Sequence, residues 1–348
     1  MATITQLKIR RPDDFHVHLR EGVVMQTVVP YTAKVFGRAL VMPNLKNPIT
    51  TGEMATEYED EILHATDKPE MSGFTQSLMT IKLTQETSPV IIAAAASADV
   101  KAVKLYPEGV TTNSENGVRD VDALTDTFRA MSDVGMVLCI HAEEPGVFSL
   151  DREIAYLERV QKIAENHPRL KVIIEHVTTS RAIAFVEDAG PNVAATITAH
   201  HLLLTLDDVI GDKFNPHNFC KPIAKRPSDR DTLVRAALSG DPKYFFGSDS
   251  APHAKETKEC ASGCAGCFTA PIAMELLAAV FDKAGCLDKL EAFTSEFGAK
   301  FYGLKLNESF ITLERGKHEV PAMVHGAFET GVAIVPFKAG ENLDWKVV

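Results

Sequence analysis

The sequence predicts an α/β chain, a (β/α)8 TIM barrel forming one domain over residues 1–348. Three observations lead there. Short runs rich in Val, Ile, Leu and Phe alternate with longer helical patterns, which implies right-handed crossovers and a parallel sheet. With the N-terminal segment, the runs number about eight, the count of a closed barrel with its active site at the C-terminal ends of the strands. Neither G-x-G-x-x-G nor G-x-x-x-x-G-K-[ST] occurs, so an open nucleotide-binding sheet lacks its main support.

The first strand is expected around Arg11–His18. The later runs are Ala39–Met42, Phe74–Ile81, Ala102–Leu105, Met136–Ile140, Lys171–Ile174, Val193–Ile197 and Tyr244–Phe246. Their near-continuous apolar character suits strands covered on both faces. Helices are expected over Thr51–Ala65, Asp120–Val134, Asp151–Asn166, Ser180–Ala189, Ser228–Leu238 and Ala270–Ala284. Asp120 is placed as an N-cap, and Gly135 as a stop that tolerates left-handed backbone.

Composition narrows the function classes. At 348 residues, 45% hydrophobic and 24% charged, the chain can bury a large core without disulfides or structural metals. Its 36 Lys+Arg against 47 Asp+Glu give −11, which argues against a nucleic-acid or anionic-membrane partner. An anionic substrate would need local cationic groups to overcome that field. Met1–Phe15 has no apolar core of a secretory signal, and the longest apolar stretch, Val90–Ala98, is too short for a bilayer, so a cytoplasmic protein is expected. The six cysteines are then expected to be reduced. Cys260, Cys264 and Cys267 form C-x3-C-x2-C, but Cys286 is nineteen residues further on and no partner pair exists. A loop with packing thiols is favoured over a zinc knuckle.

The residues just past each run carry the chemistry: His16 and His18, Asn44, Lys104, His141, His176, His200 and His201, then Asp249 with His253. In the strand segment His16-Val17-His18, both histidines face one side, ~6.6 Å apart along the chain, so two imidazoles can converge on one ion. His141 and His176 end consecutive strands at matching positions, which favours a metal site over isolated rim histidines. Asp249, beside Gly247 and Ser248, reads either as turn chemistry or as a carboxylate that ligates metal and shuttles a proton. An ammonium aimed at dications would be repelled, so Lys104 either pairs with an acidic substrate or is carboxylated by carbon dioxide to a metal-bridging carbamate. Charge counting favours the carbamate: it, one aspartate and one hydroxide offset three of the four charges of two divalent ions.

The chain carries the motifs RRPDDFHVHLREG, VMPNL, VKLYPEGVTTNS, IHAEE, EHVTT, AATITAHHL, FCKPIAK, GSDSAPH and GCAGCF, within a similarity that extends from about Ile9 to about Lys338. Together they resemble the dihydroorotases of the bacterial single-enzyme type (class II), in the amidohydrolase superfamily. The resemblance implies two Zn2+ per subunit. His16, His18 and Asp249 would hold one, and His141 and His176 the other, with carboxylated Lys104 and a hydroxide bridging both. It implies reversible cyclisation of N-carbamoyl-L-aspartate to L-dihydroorotate in pyrimidine (UMP) synthesis, with Asp249 as proton shuttle. The substrate carboxylate would meet Arg20, Asn44 and His253, while His141, Lys221, Ala265 and Gly266 would complete the substrate site. Thr111 and Thr112 match a lid, and a homodimer is implied.

Lys221 departs from a commonly apolar position, which a backbone contact would tolerate. Glu21 and Phe15 replace a common aspartate and tryptophan outside the ligand set. His200 and His201 are read as rim or packing residues; His64, His167, His217, His318 and His325 are assigned to helices or loops. The alternatives are a hydantoinase- or allantoinase-like cyclic-amide hydrolase, a non-catalytic barrel, and a zinc-ribbon module on Cys260–Cys267.

Overall fold

The computed structural model describes residues 4–111, 113–326 and 331–348. The chain starts with β1 (Gln6–Arg10) and enters the barrel with β2 (Asp13–Val17). The barrel continues through β3 (Arg38–Val41), β4 (Gln76–Lys82), β5 (Ala102–Leu105), β6 (Val137–Ile140), β7 (Val172–Ile174), β8 (Val193–Ile197) and β9 (Tyr244–Phe246). After it come β10 (Phe310–Glu319), β11 (Val324–His325), β12 (Ala333–Ile334) and β13 (Asn342–Val347).

Strands β2 to β9 pair in sequence order, all parallel, as an eight-stranded sheet. The seam between its first and last members is closed just past β9. There Asp249 N donates to His16 O (2.8 Å), His18 N donates to Ser250 O (3.0 Å), and Val17 bridges Ser250. Asp14 reinforces the seam by accepting from Ser248 N (2.8 Å) and Ser248 Oγ (2.6 Å). Burial pushes its carboxyl up to about 6 even against these hydrogen bonds.

The period-2 alternation of a strand sorts the core into two compartments. Leu40, Ala102, Val137, Cys139, Ile173, Ala194 and Phe245 meet inside the barrel with Phe15, beneath Ala299 of the helix Phe297–Tyr302. Their neighbours Val41, Val103, Leu138, Ile140, Ile174, Ala195 and Phe246 face the helical shell. Gly298 permits the plug to seat: a Cβ there would lie 2.3 Å from the Phe15 ring.

The expected strands hold to within one or two residues. The expected helix from Asp120 is a short 3-10 turn, Asp122–Leu124, followed by the helix Thr125–Val134; Asp120 Oδ1 accepts from Asp122 N (3.0 Å) and so caps the turn. Helices Gly22–Val35 and Pro89–Ser97 were not anticipated. Nor was the antiparallel sheet β1–β10–β13, which joins both ends of the chain. His318 and His325 therefore lie in strands, not in helices or loops. Among the described residues, no helix is long and apolar enough to cross a membrane.

Candidate metal centre and substrate pocket

Continuing the inward-facing series past the apolar plug produces the site. Ala102 is followed two residues on by Lys104, Cys139 by His141, Ile173 by Glu175, and Ala194 by Thr196. The interior thus changes from hydrocarbon to donor atoms within one step of each strand. Two positions break the alternation: His176 and Asp249 both take left-handed backbone, each with φ 42°. For His176 this brings a second consecutive side chain, after Glu175, to the axis; its amide is held by Thr196 Oγ1 at 2.7 Å.

His16, His18, His141, His176 and Asp249 line one pocket with Arg20, Asn44, Tyr106, Thr111, Lys221, Ala251, Ala265 and Gly266. Asp249 Oδ1 lies 3.4 Å from His16 Nε2 and 3.3 Å from His18 Nε2. The ring centroids of His16 and His176 are 5.0 Å apart, and those of His141 and His176 4.8 Å. Lys104 joins from beneath, its Nζ 5.2 Å from the Tyr106 ring centroid. A larger surface groove, about 680 Å³, lies elsewhere, between the helices Arg152–Asn166 and Ser180–Asp188, and none of these residues lines it.

The electrostatics favour neutral nitrogen donors. Burial lowers the pKa of His18 to about 4, of His141 below its usual value, and of His176 well below, the last aided by Lys104. Burial likewise lowers that of Lys104, favouring the free amine. Burial pushes Asp249 up, but the His18 hydrogen bond and the surrounding histidines outweigh it and hold the carboxyl well below its usual range. Lys104 Nζ and His176 Nδ1 are buried with no hydrogen-bond partner among the described residues. Such orphaned polar atoms are costly, and a cluster of imidazoles around a carboxylate suits a divalent ion.

Two carboxylates missed in the sequence orient this cluster. Glu175 Oε2 is 2.7 Å from His16 Nδ1 and accepts from Thr196 Oγ1 at 2.6 Å; Glu143 Oε2 is 2.8 Å from His141 Nε2. Each frees the opposite ring nitrogen for a ligand. Their signal was proximity: Glu175 immediately precedes His176, and Glu143 follows His141 by two. Tyr106, also missed, sits two past Lys104.

The other side of the pocket is built on loops. Arg20, at φ 63°, donates from Nε to Pro252 O (2.8 Å), and its Nη2 is 2.9 Å from His253 Nε2. That nitrogen is also 3.0 Å from Ala265 O. Gly266, at φ 147°, packs where a Cβ would lie 2.3 Å from Ala251 O, and its amide donates to Phe219 O at 2.8 Å. Buried Lys258, also unanticipated, donates to the carbonyls of Phe219, Cys264 and Gly266 and pins the loop from below. Thr111 lines the pocket and is tied to Ser114, whereas Thr112 lies outside the described residues. Of the two roles expected for His200 and His201, rim or packing, their exposure of 0% and 1% supports packing.

A parallel eight-stranded barrel with a ring of His, Lys and Asp at its strand ends defines a metal-dependent hydrolase of the amidohydrolase class. No family model matches the chain. It is 48% identical over 347 residues to the dihydroorotase of Shewanella pealeana, covering 99% of each. The crystal structure of the Saccharomyces cerevisiae dihydroorotase in complex with 5-fluoroorotic acid superposes with a TM-score of 0.92 at 37% identity, covering 99% of each chain. The L-hydantoinase of Arthrobacter aurescens shares the fold, with a TM-score of 0.77 at 16% identity, covering 98% of this chain and 82% of that one. The chain belongs to the dihydroorotase family.

Proposed function

We propose that this protein interconverts N-carbamoyl-L-aspartate and L-dihydroorotate with the strand-end residues in the following roles. The observation that carries the reading is the buried Lys104 amine, without a hydrogen-bond partner among the described residues, within a ring of imidazoles beside the Arg20–His253 pair. His16, His18 and Asp249 would hold one Zn2+, His141 and His176 a second, and carboxylated Lys104 would serve both. When bound, the two ions supply an acidic water and polarise the carbonyl under attack.

Lys104 as a free amine adds to carbon dioxide, forming a C–N bond and releasing one proton, which turns a repelling cation into an anion. Asp249, ionised by its histidine neighbours, takes a proton from the attacking water and delivers it to the departing ring nitrogen; cyclisation reverses that transfer. Arg20 offers the substrate carboxylate a planar fork, with Asn44 and His253 beside it. Burial, with Arg20 adding to it, lowers the His253 pKa strongly, so its ring serves as a neutral partner. The backbone at Lys221, Ala265 and Gly266 would meet the ring edge, and Thr111 and Thr112 would close over it. The yeast relative's complex is with 5-fluoroorotic acid, a pyrimidine carboxylate, which is in keeping with a pocket for a ring that bears a carboxylate. The same reading includes a cytoplasmic homodimer, which sedimentation of the purified protein tests.

Lys104→Ala is the direct test. Turnover of L-dihydroorotate should be lost and partly restored by a short carboxylic acid, while the native intact mass loses one carbon dioxide. Near-normal unrescued activity overturns the carbamate, and preference for an uncharged hydantoin over L-dihydroorotate overturns the carboxylate pocket.

A further inference from the structure

Away from this ring, three loops bring together His200 after β8, Cys220 ahead of the Lys221–Pro222 bond, and Cys267 after β9. One imidazole nitrogen and the two sulfurs all lie within 4.8 Å of one another, and the residues are 0%, 0% and 1% exposed. His200 is the anomaly. Neither of its ring nitrogens has a hydrogen-bond partner of normal geometry among the described residues, and the polar group set against the ring is the Cys220 thiol. Its neighbour His201 shows how a structural histidine is normally satisfied here, with Nδ1 2.9 Å from Thr198 Oγ1 and Nε2 3.0 Å from Pro222 O. A fully buried imidazole orphaned at both nitrogens is unfavourable as it stands. The sulfurs are only weakly engaged. Cys220 Sγ donates to Pro222 O at 3.3 Å and lies 3.4 Å from His201 Nε2, and Cys267 Sγ donates to His217 O at 3.4 Å.

From this geometry we propose that His200, Cys220 and Cys267 form a second metal site, separate from the strand-end ring, that takes Zn2+. Two thiolates and an imidazole are soft to borderline donors, which disfavours Mg2+ and Ca2+. Charge selects a divalent ion: two thiolates and one dication sum to zero, a state that can be buried, whereas a monovalent ion would leave a net negative charge. Binding forms two Zn–S bonds and one Zn–N bond and releases the two thiol protons to solvent. Of the C-x3-C-x2-C run, only Cys267 takes part.

The location assigns the site a structural role. Cys220 adjoins Lys221 and Cys267 adjoins Gly266, both in the substrate pocket, and the two segments already meet through Gly266 N and Phe219 O. The ion would staple the pocket's two backbone walls to the loop after β8. The site stands on its own residues, whatever the substrate.

The test uses the full-length chain loaded with Co2+. The strand-end ring has only nitrogen and oxygen donors, so a thiolate-to-cobalt charge-transfer band in the near ultraviolet reports the second site alone. The band should form in the wild type and persist in the Cys260→Ser/Cys264→Ser/Cys286→Ser variant. It should fall at least tenfold in Cys220→Ser, Cys267→Ser and His200→Ala. Absence of the band from the folded wild type, or its survival in Cys220→Ser and Cys267→Ser, overturns the site. Zinc-edge X-ray absorption of the zinc-loaded wild type needs no variant. Sulfur scattering at about 2.3 Å is expected, and a purely nitrogen and oxygen shell, or a Cys220–Cys267 disulfide persisting in reducing buffer, refutes the proposal.

Discussion

Replacing Glu175 by Gln isolates what a carboxylate behind a proposed ligand histidine contributes. Glu175 Oε2 lies 2.7 Å from His16 Nδ1 and accepts from Thr196 Oγ1 at 2.6 Å, and the side chain is fully buried. Glutamine keeps the volume and can keep an oxygen where Oε2 stands. It removes the negative charge that makes the opposite His16 nitrogen a better donor. It also puts an NH2 group at the Oε1 position, which has no hydrogen-bond partner among the described residues. Turned the other way, the amide would donate to His16 Nδ1 and move the ring proton onto Nε2, blocking the nitrogen that faces Asp249. Either orientation weakens metal binding, and loss of such outer partners typically costs 10–100-fold in affinity, about 1.4–2.7 kcal/mol. Competition against a chromophoric zinc chelator measures it, with circular dichroism and Tm confirming the fold. Zinc affinity within about twofold of wild type would refute the argument that Glu175 tunes His16.

Three further outcomes are expected. Asp249→Asn should retain the fold and lose about 10²–10⁴ in kcat on L-dihydroorotate, the usual contribution of a positioned proton carrier; a rate within tenfold of wild type removes that role. Arg20→Lys should raise KM about tenfold with kcat little changed, since a point charge replaces the planar fork; steady-state kinetics with an unmoved KM would exclude Arg20 from the carboxylate site. Glu275 supplies a pH test of stability. Burial raises its pKa to about 7, and its Oε1 accepts from Val347 N of β13 at 3.2 Å. Because the folded form holds this proton more tightly than the unfolded chain, the associated stability is complete below pH ~4.5 and is lost as pH rises through about 7. Glu275→Gln should therefore be more stable than wild type at pH 8, by up to about 3 kcal/mol, and equal to it near pH 4. Parallel plots of Tm against pH for the two proteins would contradict this.

The barrel was legible because strands covered on both faces must be written as apolar runs, and Val137–Ile140 or Val193–Ile197 could be little else. β2 was harder, since Asp13 and Asp14 look like loop residues; both are buried, the first against Arg38 and Asn307 and the second against Ser248. Those partners lie 25 to 294 residues away, beyond any local pattern. The same distance hid the β1–β10–β13 sheet, whose first pairing joins Gln6 to Glu314. In the site, His16 and His18 announced themselves by i, i+2 spacing. Glu175 and Lys258 did not, because a glutamate beside a histidine or a lysine in a polar loop is ordinary until its surroundings are known. For His200 the position after a strand left rim and packing roles both open, and its complete burial decides for packing.

The left-handed backbone at Arg20, His176 and Asp249 has a consequence for how this chain can evolve. Non-glycine residues in that region each cost of order 1–3 kcal/mol when strained, and here they coincide with groups that turn toward the pocket. Selection for thermal endurance alone would favour glycine or asparagine at these three positions, and would empty the site while hardening the scaffold. A descendant kept for its shape rather than its turnover should therefore carry its first scars at residues 20, 176 and 249, with the apolar plug beneath them intact.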